Sequence, residues 1–334
     1  MLNLKIWSKH FLFKCMHPEV LLVNSIVIIS NKKYNLNKGI GISRYSSPLR
    51  NLTVAVKGGD VDLNKIKLIS VHVPKHLKPV TDDEFGHYLA GLIDGDGSFS
   101  KYTARIVFSE LDASLAYYIK KRLGYGKVTK LRNKKAINLT ITHREGLTKL
   151  LNLINGKIRT QFKYDAIYKY ILNIYKKPLD LNKNFHLNDS TDLDNHWLAG
   201  FIDADGSFQI KIIDRIKQNG EPRLEVRLSL QIDQKTRLFL DLIKGKFGGN
   251  IGYRKKQDTY YYSSTSFGSA KNVIFYLDNY HLLSSKYLNY LKWRKVYILI
   301  QNKTHILPEG LDKIIKIKST MNSNSQDELD LSES

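Results

Sequence analysis

Little in this 334-residue chain could support a disulfide scaffold, a cysteine-ligated metal or a membrane span. Cys15 is the single cysteine, which excludes a disulfide framework and a cysteine-built zinc site and fits a reducing compartment. The apolar run from Val20 to Ile29 is interrupted by Asn24 and Ser25 and falls short of the roughly twenty residues that a membrane span needs. Acid is scarce as well. The 31 Asp+Glu set against 53 Lys+Arg leave a net charge of +22, and so positive a field makes nucleic acid, not a membrane surface, the expected partner. The shortage is greatest at the start, where residues 1–59 carry nine Lys/Arg and one acid, Glu19. Prolines number only 7 while tyrosines reach 20; together with abundant Lys, Asn and Ile this is the usage of AT-rich coding DNA, of which mitochondrial genomes are an example. Length points to about two domains, and 42% hydrophobic content is enough for packed cores.

What the chain does have is a repeat. Residues 87–100 read HYLAGLIDGDGSFS and residues 196–209 read HWLAGFIDADGSFQ, identical at ten of fourteen places and 109 positions apart. Each copy runs from apolar residues through a small pair (Ala90-Gly91, Ala199-Gly200) to Asp-x-Asp-Gly and the start of a strand. The apolar part predicts a helix whose small residues let two backbones approach closely, with Gly97 or Gly206 ending it through a left-handed turn. Two such helices packed together would bring Asp96 and Asp205 side by side, a pair of carboxylates suited to a metal and a phosphate. Asp94 and Asp203, one step earlier, are expected to finish the helices and to point away from the neighbouring helix end. His87 and His196 precede the two copies with no carboxylate or cysteine cluster beside them, and read as structural residues.

Around each copy the pattern is the same. Thr81 can cap a helix whose first turn holds Asp82, Asp83 and Glu84. Helices are expected over Leu111–Leu123, Glu145–Asn155 and Gln161–Lys176, with hairpins at Phe99–Phe108 and at Lys127–Ile141. In the second copy Phe208, Ile210 and Ile212 alternate with polar residues, and after a turn at Asn219-Gly220 so do Leu224, Val226, Leu228, Leu230 and Ile232. Helices follow at Gln234–Phe247, Ala270–Tyr280 and Ser285–Asn302, with a hairpin at Tyr253–Ser264. Lys286-Tyr287 matches Lys163-Tyr164, so the second copy has gained about fourteen residues, mostly in the Asp214–Pro222 hairpin. The boundaries that follow are a basic N-terminal extension, 1–80, poorly structured or removed as a transit peptide; a first repeat, 81–176; a linker, 177–194; a second repeat, 195–303; and a polar tail, 304–334, expected to be disordered.

The strings LAGLIDGDG and LAGFIDADG resemble the two signatures of monomeric LAGLIDADG homing endonucleases, and the resemblance spans roughly residues 81–303. A duplicated nine-residue motif at domain-length spacing is a specific signal. It implies an α/β (α+β) fold of two pseudo-twofold-related αββαββα repeats, each with a curved antiparallel sheet, packed through the two motif helices. It also implies cleavage of both strands of a long, asymmetric DNA site and promotion of intron mobility, with Asp96 and Asp205 as metal ligands helped by the carbonyls of Gly95 and Ala204. Oxygen ligands and a phosphate substrate suit Mg²⁺ better than zinc. Gln231, Lys271 and Glu110 are further catalytic candidates by family position, Glu110 sharing its claim with Ser109.

Base edges and phosphates would be met by the polar strand faces and hairpin turns. In the first repeat these offer Ser98, Ser100, Lys101, Arg105, Lys127, Lys130, Arg132, Lys134 and Lys135. In the second they offer Ser207, Gln209, Lys211, Arg223, Glu225, Arg227, Ser229, Arg254, Lys255 and Lys256. Tyr260-Tyr261-Tyr262 could stack on bases, with alternate members in the core. The expected partner is double-stranded DNA, bound by a monomer in a mitochondrion or other organelle. The alternatives are an RNA maturase acting on its host intron on the same fold, and a non-cutting DNA-binding regulator, against which the two intact aspartates argue.

Overall fold

The computed structural model describes residues 68–216 and 222–321. The expected extension up to residue 67, the turn at Asn219-Gly220, the end of the tail and the side chain of Arg223 lie outside the described residues. The described residues from Ile69 onward form one compact unit.

Two buried helices organise it. Helix α1 (Asp82–Asp96) opens on a capping box in which Thr81 and Glu84 each bind the other's backbone amide, with its acids placed on the positive helix end. Helix α5 (Trp197–Asp205) is its counterpart. Phe85, Tyr88, Leu89, Leu92 and Ile93 of α1, and Trp197, Leu198, Phe201 and Ile202 of α5, are all buried. The two helices meet backbone to backbone. A Cβ on Gly91 would lie 1.8 Å from the Trp197 carbonyl oxygen, and one on Gly200 would lie 2.0 Å from that of Tyr88.

The glycines that end these helices do so for a different reason than the sequence suggests. Gly97 (φ −69°, ψ 147°) and Gly206 (φ −79°, ψ 146°) are extended, not left-handed. Glycine is required by space, because a Cβ would sit 2.7 Å from the carbonyl oxygens of Ile93 and Ile202 respectively.

Each helix feeds a four-stranded antiparallel sheet. The first has strands β1 (Gly97–Ser100), β2 (Thr103–Ser109), β3 (Lys127–Lys130) and β4 (Ala136–Ile141) in the order β1-β2-β4-β3. The second has β5 (Gly206–Ile216), β6 (Pro222–Gln234), β7 (Asn250–Arg254) and β8 (Thr259–Ser263) in the order β5-β6-β8-β7. Alternation puts Ala104, Ile106, Phe108, Ile137, Leu139 and Ile141 on one buried face and Phe208, Ile210, Leu228, Leu230, Ile232 and Tyr262 on the other. Covering them are α2 (Ala113–Leu123), α3 (Arg144–Ile154) and α4 (Gln161–Tyr170) in the first half, and α6 (Leu238–Phe247), α7 (Phe267–Leu277) and α8 (Lys286–Gln301) in the second. The two halves repeat the same order of elements, the α/β (α+β) architecture that the motif duplication implies.

Several boundaries differ from expectation. Strand β6 continues to Gln234 and α6 begins only at Leu238, while α4 stops at Tyr170. Residues 69–80, placed with the extension, belong to the folded body: Ile69 is buried, its amide and carbonyl both bonded to the Gln301 side chain (2.8 and 3.0 Å), and the His76 ring meets the Leu282 carbonyl at 2.8 Å. Part of the tail expected to be disordered is helical. Pro308 opens helix α9 (Pro308–Ser319), where proline's missing amide costs nothing, and Ile314 and Met321 are buried. Among the described residues no helix is long and apolar enough to cross a membrane.

The helix seam makes a testable pair of opposite outcomes. Gly91→Ala should lower stability by about 3 kcal/mol, since backbone cannot yield as a side chain can. Gly245→Ala, at an exposed helical position where a Cβ meets nothing within 4 Å, should raise it by roughly 0.5–1 kcal/mol. Denaturant midpoints check both.

Candidate active site at the paired helix ends

Asp96 and Asp205 are the last residues of α1 and α5. The ends converge so closely that a Cβ on Gly95 would lie 2.3 Å from the Ala204 methyl and 3.0 Å from an Asp205 carboxylate oxygen. The four aspartates of the two motifs divide into an inner pair and an outer pair.

The inner pair is saturated. Asp94 accepts from the amides of Arg159 (2.9 Å) and Thr160 (3.1 Å), the Thr160 hydroxyl (2.6 Å) and the Trp197 indole (2.8 Å). Asp203 accepts from the Tyr88 hydroxyl (2.8 Å), the amides of Leu283 (2.7 Å) and Ser284 (3.3 Å), and the Ser284 hydroxyl. Neither points away from its neighbour. Side chains lean toward the N-terminus of their helix, and this carries each carboxylate back over the seam to a donor on the opposite helix. Burial pushes both pKa values up, and the hydrogen bonds oppose it.

The outer pair is open. Asp96 reaches solvent, yet the protein crowded around its carboxyl, and then the charge of Asp205, push its pKa up to about 6. Asp205 is half-buried and also raised by desolvation, opposed by the Gln234 side-chain amide, which donates to it at 2.7 Å. Sequence reasoning chose Gln231 and missed Gln234, the residue at the junction of β6 and the following helix. Gln231 instead bonds Gln209 (3.4 Å) and Asp233 (3.1 Å) on the sheet.

Two lysines lie beneath the acids. The Lys163 ammonium donates to the carbonyls of Gly95 (3.2 Å) and Gly97, and that of Lys286 to Ala204 (2.5 Å) and Ile202 (3.4 Å). The Gly95, Ile202 and Ala204 carbonyls lie in the last turns of α1 and α5, where intrahelical amides run out, although the Gly206 amide also reaches Ile202, and Gly97 opens β1. Gly95 and Ala204, expected as metal ligands, thus already accept a charged hydrogen bond. Burial lowers the pKa of both lysines while the aspartates raise it. The signal was in the sequence, where Lys163-Tyr164 and Lys286-Tyr287 mark matching positions in the two repeats.

The other catalytic candidates are not drawn to the pair by these contacts. Glu110 occupies a short 3-10 turn and pairs with Lys130 at 2.6 Å. The strand register makes Arg105, opposite Ser98, the counterpart of Gln231, opposite Ser207, so neither Glu110 nor Ser109 holds that place. Lys271 lies on α7 with its ammonium 5.7 Å from the Phe275 ring centre. His87 faces Asp83 at 3.8 Å and His196 meets the Tyr280 ring edge-on, as structural residues would. Among the described residues no group of three or more His, Cys, Asp or Glu could hold a metal; what a cation would find is the Asp96–Asp205 pair.

The polar strand faces extend from these acids. Ser98, Ser100, Arg105 and Lys127 share one face of the first sheet, with Lys101 in the turn between β1 and β2, and Arg132, Lys134 and Lys135 exposed in the turn between β3 and β4. In the second sheet Ser207, Gln209, Lys211, Glu225, Arg227 and Arg254 share the corresponding face, and Lys255 and Lys256 are exposed in a 3-10 turn. Ser229, expected among the base readers, is buried with its hydroxyl engaged by that of Ser263 at 2.7 Å. Tyr262 is in the core and Tyr261 on the polar face, the alternation expected of the tyrosine run.

Comparison with known proteins follows the same lines. The profile of the LAGLIDADG endonuclease family matches residues 198–297. The chain is 50% identical over 318 residues to an uncharacterised cox1 intron-2 37.2 kDa protein of Schizosaccharomyces pombe, covering 93% of each chain. It is 32% identical over 270 residues to the intron-encoded DNA endonuclease aI3 of Saccharomyces cerevisiae, covering 66% of this chain and 65% of that one. Among solved structures, I-SmaMI bound to an uncleaved DNA target in the presence of calcium ions superposes with a TM-score of 0.55 at 24% identity, over 74% of this chain and 99% of that one. Duplicated motif, paired helix ends, twin sheets and near-full-length similarity agree: this chain belongs to the LAGLIDADG endonuclease family.

Proposed function

We propose that the protein is a monomeric, intron-encoded, organellar endonuclease that hydrolyses both strands of a long, asymmetric DNA site at Asp96 and Asp205. The observation that carries this reading is the pairing of two solvent-reaching carboxylates at converging helix ends, each leading directly into a polar, cationic strand face. Two differing halves on one chain suit a site without symmetry.

The pair fits a divalent cation. Its donors are oxygens only, which favours a hard ion such as Mg²⁺, and the burial and the Asp205 charge that together raise Asp96 are what a cation would offset. A bound divalent cation supplies charge for the attacked phosphate and acidity for the attacking water. The chain's own residues set the frame. Asp96 and Asp205 hold the ion, Gln234 fixes the orientation of Asp205, and Lys163 and Lys286 secure the helix-end carbonyls so that the acids keep their spacing.

On DNA spanning the intron insertion site, the wild type should cut with Mg²⁺ and not without it. Asp96→Asn and Asp205→Asn should each cut more than about a hundredfold slower while still binding; full cutting by both would remove the active-site assignment. Binding and folding of the host intron RNA, with the DNA left whole, would instead favour the maturase reading.

The raised Asp96 pKa also fixes a sign. Its folded value of about 6 lies above the ordinary 3.8, so between those values the folded state binds the proton more tightly than the unfolded chain. Stability of the metal-free protein should therefore fall as pH rises from about 4 to about 6. Asp96→Asn should flatten that part of the profile, as thermal midpoints across the range will show.

A further inference from the structure

The two sheets present unlike faces, and the difference lies in their acids. The strands of the first hold Arg105 and Lys127 on the polar face with no Asp or Glu, while Lys130, opposite the buried Ile137, lies on the other face and pairs with Glu110. Those of the second hold Asp214, Glu225 and Asp233 among five cations. Of these acids, Glu225 and Asp233 share the polar face.

Both are engaged with arginine. Glu225 takes the Arg227 guanidinium through two bonds (2.7 and 3.1 Å) and Arg215 through a third (3.1 Å). Asp233 takes Arg254 with one oxygen and, with the other, the Gln231 amide at 3.1 Å, which in turn accepts from Gln209 at 3.4 Å. The Arg254 guanidinium also lies 4.5 Å over the Tyr261 ring. Gly252 makes room for that ring, since a Cβ there would meet it at 2.4 Å. A line of bonded side chains thus crosses from β5 through β6 to β7 and rests on β8.

Such pairing changes what a cation does on DNA. A guanidinium held along one edge by a carboxylate presents its remaining N–H groups in fixed directions, which suits base edges. The pair's small net charge releases few counterions and contributes little to sequence-independent binding. A carboxylate facing DNA repels phosphate and accepts only from base donors, so a wrong base leaves it unpaired. A cation on a face without acids attracts phosphate wherever it lies.

Resting on the DNA reading above, we infer that base discrimination is concentrated in the half-site met by the second sheet, where Glu225 and Asp233 set it. The first sheet supplies affinity that depends on charge more than on sequence.

The test selects duplexes from a randomised pool with the full-length chain in the absence of divalent cation, then measures base preference and salt dependence for the wild type and four variants. Selected sites should be well defined in one half and loose in the other. Glu225→Gln and Asp233→Asn should each lower preference within the defined half about tenfold and steepen the slope of log affinity against log salt by about one. Arg105→Ala and Lys127→Ala should weaken binding to all sequences alike, make the slope shallower by about one each, and leave the selected sequence unchanged. Retained binding to arbitrary duplex shows that a variant is folded. Equal definition of both halves overturns the asymmetry, and so does unchanged preference in the two acid variants. Failure of the wild type to select any DNA overturns the DNA reading itself, a result distinct from even selectivity.

Discussion

Everything in this molecule depends on how closely two helix backbones approach. Gly91 against the Trp197 carbonyl and Gly200 against that of Tyr88 leave no room for a single methyl group. Because the contact is backbone to backbone, the helices cannot slide without losing it, and the spacing of their ends follows from it. The position of Asp96 relative to Asp205 is a consequence of that contact, not of anything in the acids themselves.

The motif's two aspartates illustrate how position alone divides labour. Asp94 and Asp203 are buried and saturated with donors; Asp96 and Asp205, two residues on, are crowded but open. The first pair joins the halves, and the second is left with charge that nothing in the protein fully neutralises. Lys163 and Lys286 add positive charge nearby, yet their hydrogen bonds go to the helix-end carbonyls. The acids therefore retain capacity for an external partner.

Much of this was legible in the sequence because a repeat constrains both copies at once. The helices, the alternation that builds the sheets, the capping by Thr81 and the singling out of Asp96 and Asp205 all followed from matched patterns. What was hidden depended on side-chain direction or on contacts distant in sequence. Gln234 falls at the core-facing phase of β6 but breaks its apolar run, so the pattern read it as the start of a helix and could not show that the strand's last residue reaches the helix end. The extended form of Gly97 and Gly206 was masked because glycine is equally the residue of left-handed turns. Helix α9 was lost in a polar tail whose few apolar residues, Ile314 and Met321 among them, find their cover only in the folded body. The pairing of Glu225 with two arginines required knowing which residues of β5 and β6 stand opposite one another.

Tyr88 and Trp197 occupy the same place in the two copies, and each donates to the carboxylate of the other half. A phenol carries its donor at the tip and an indole on its flank, so the two pockets are not interchangeable. Arg159 reinforces the difference: its guanidinium lies 5.0 Å over the Trp197 ring while its nitrogens hold the carbonyls of Ser190 and Asp192 in the connecting segment. Two first halves brought together would set a phenol where an indole belongs, and two second halves the reverse. In a chain whose copies still agree at ten of fourteen motif positions, this mismatch works as a lock and its key. It favours unlike halves over like ones and so discourages the pairing of two first halves, or of two second halves, from neighbouring molecules.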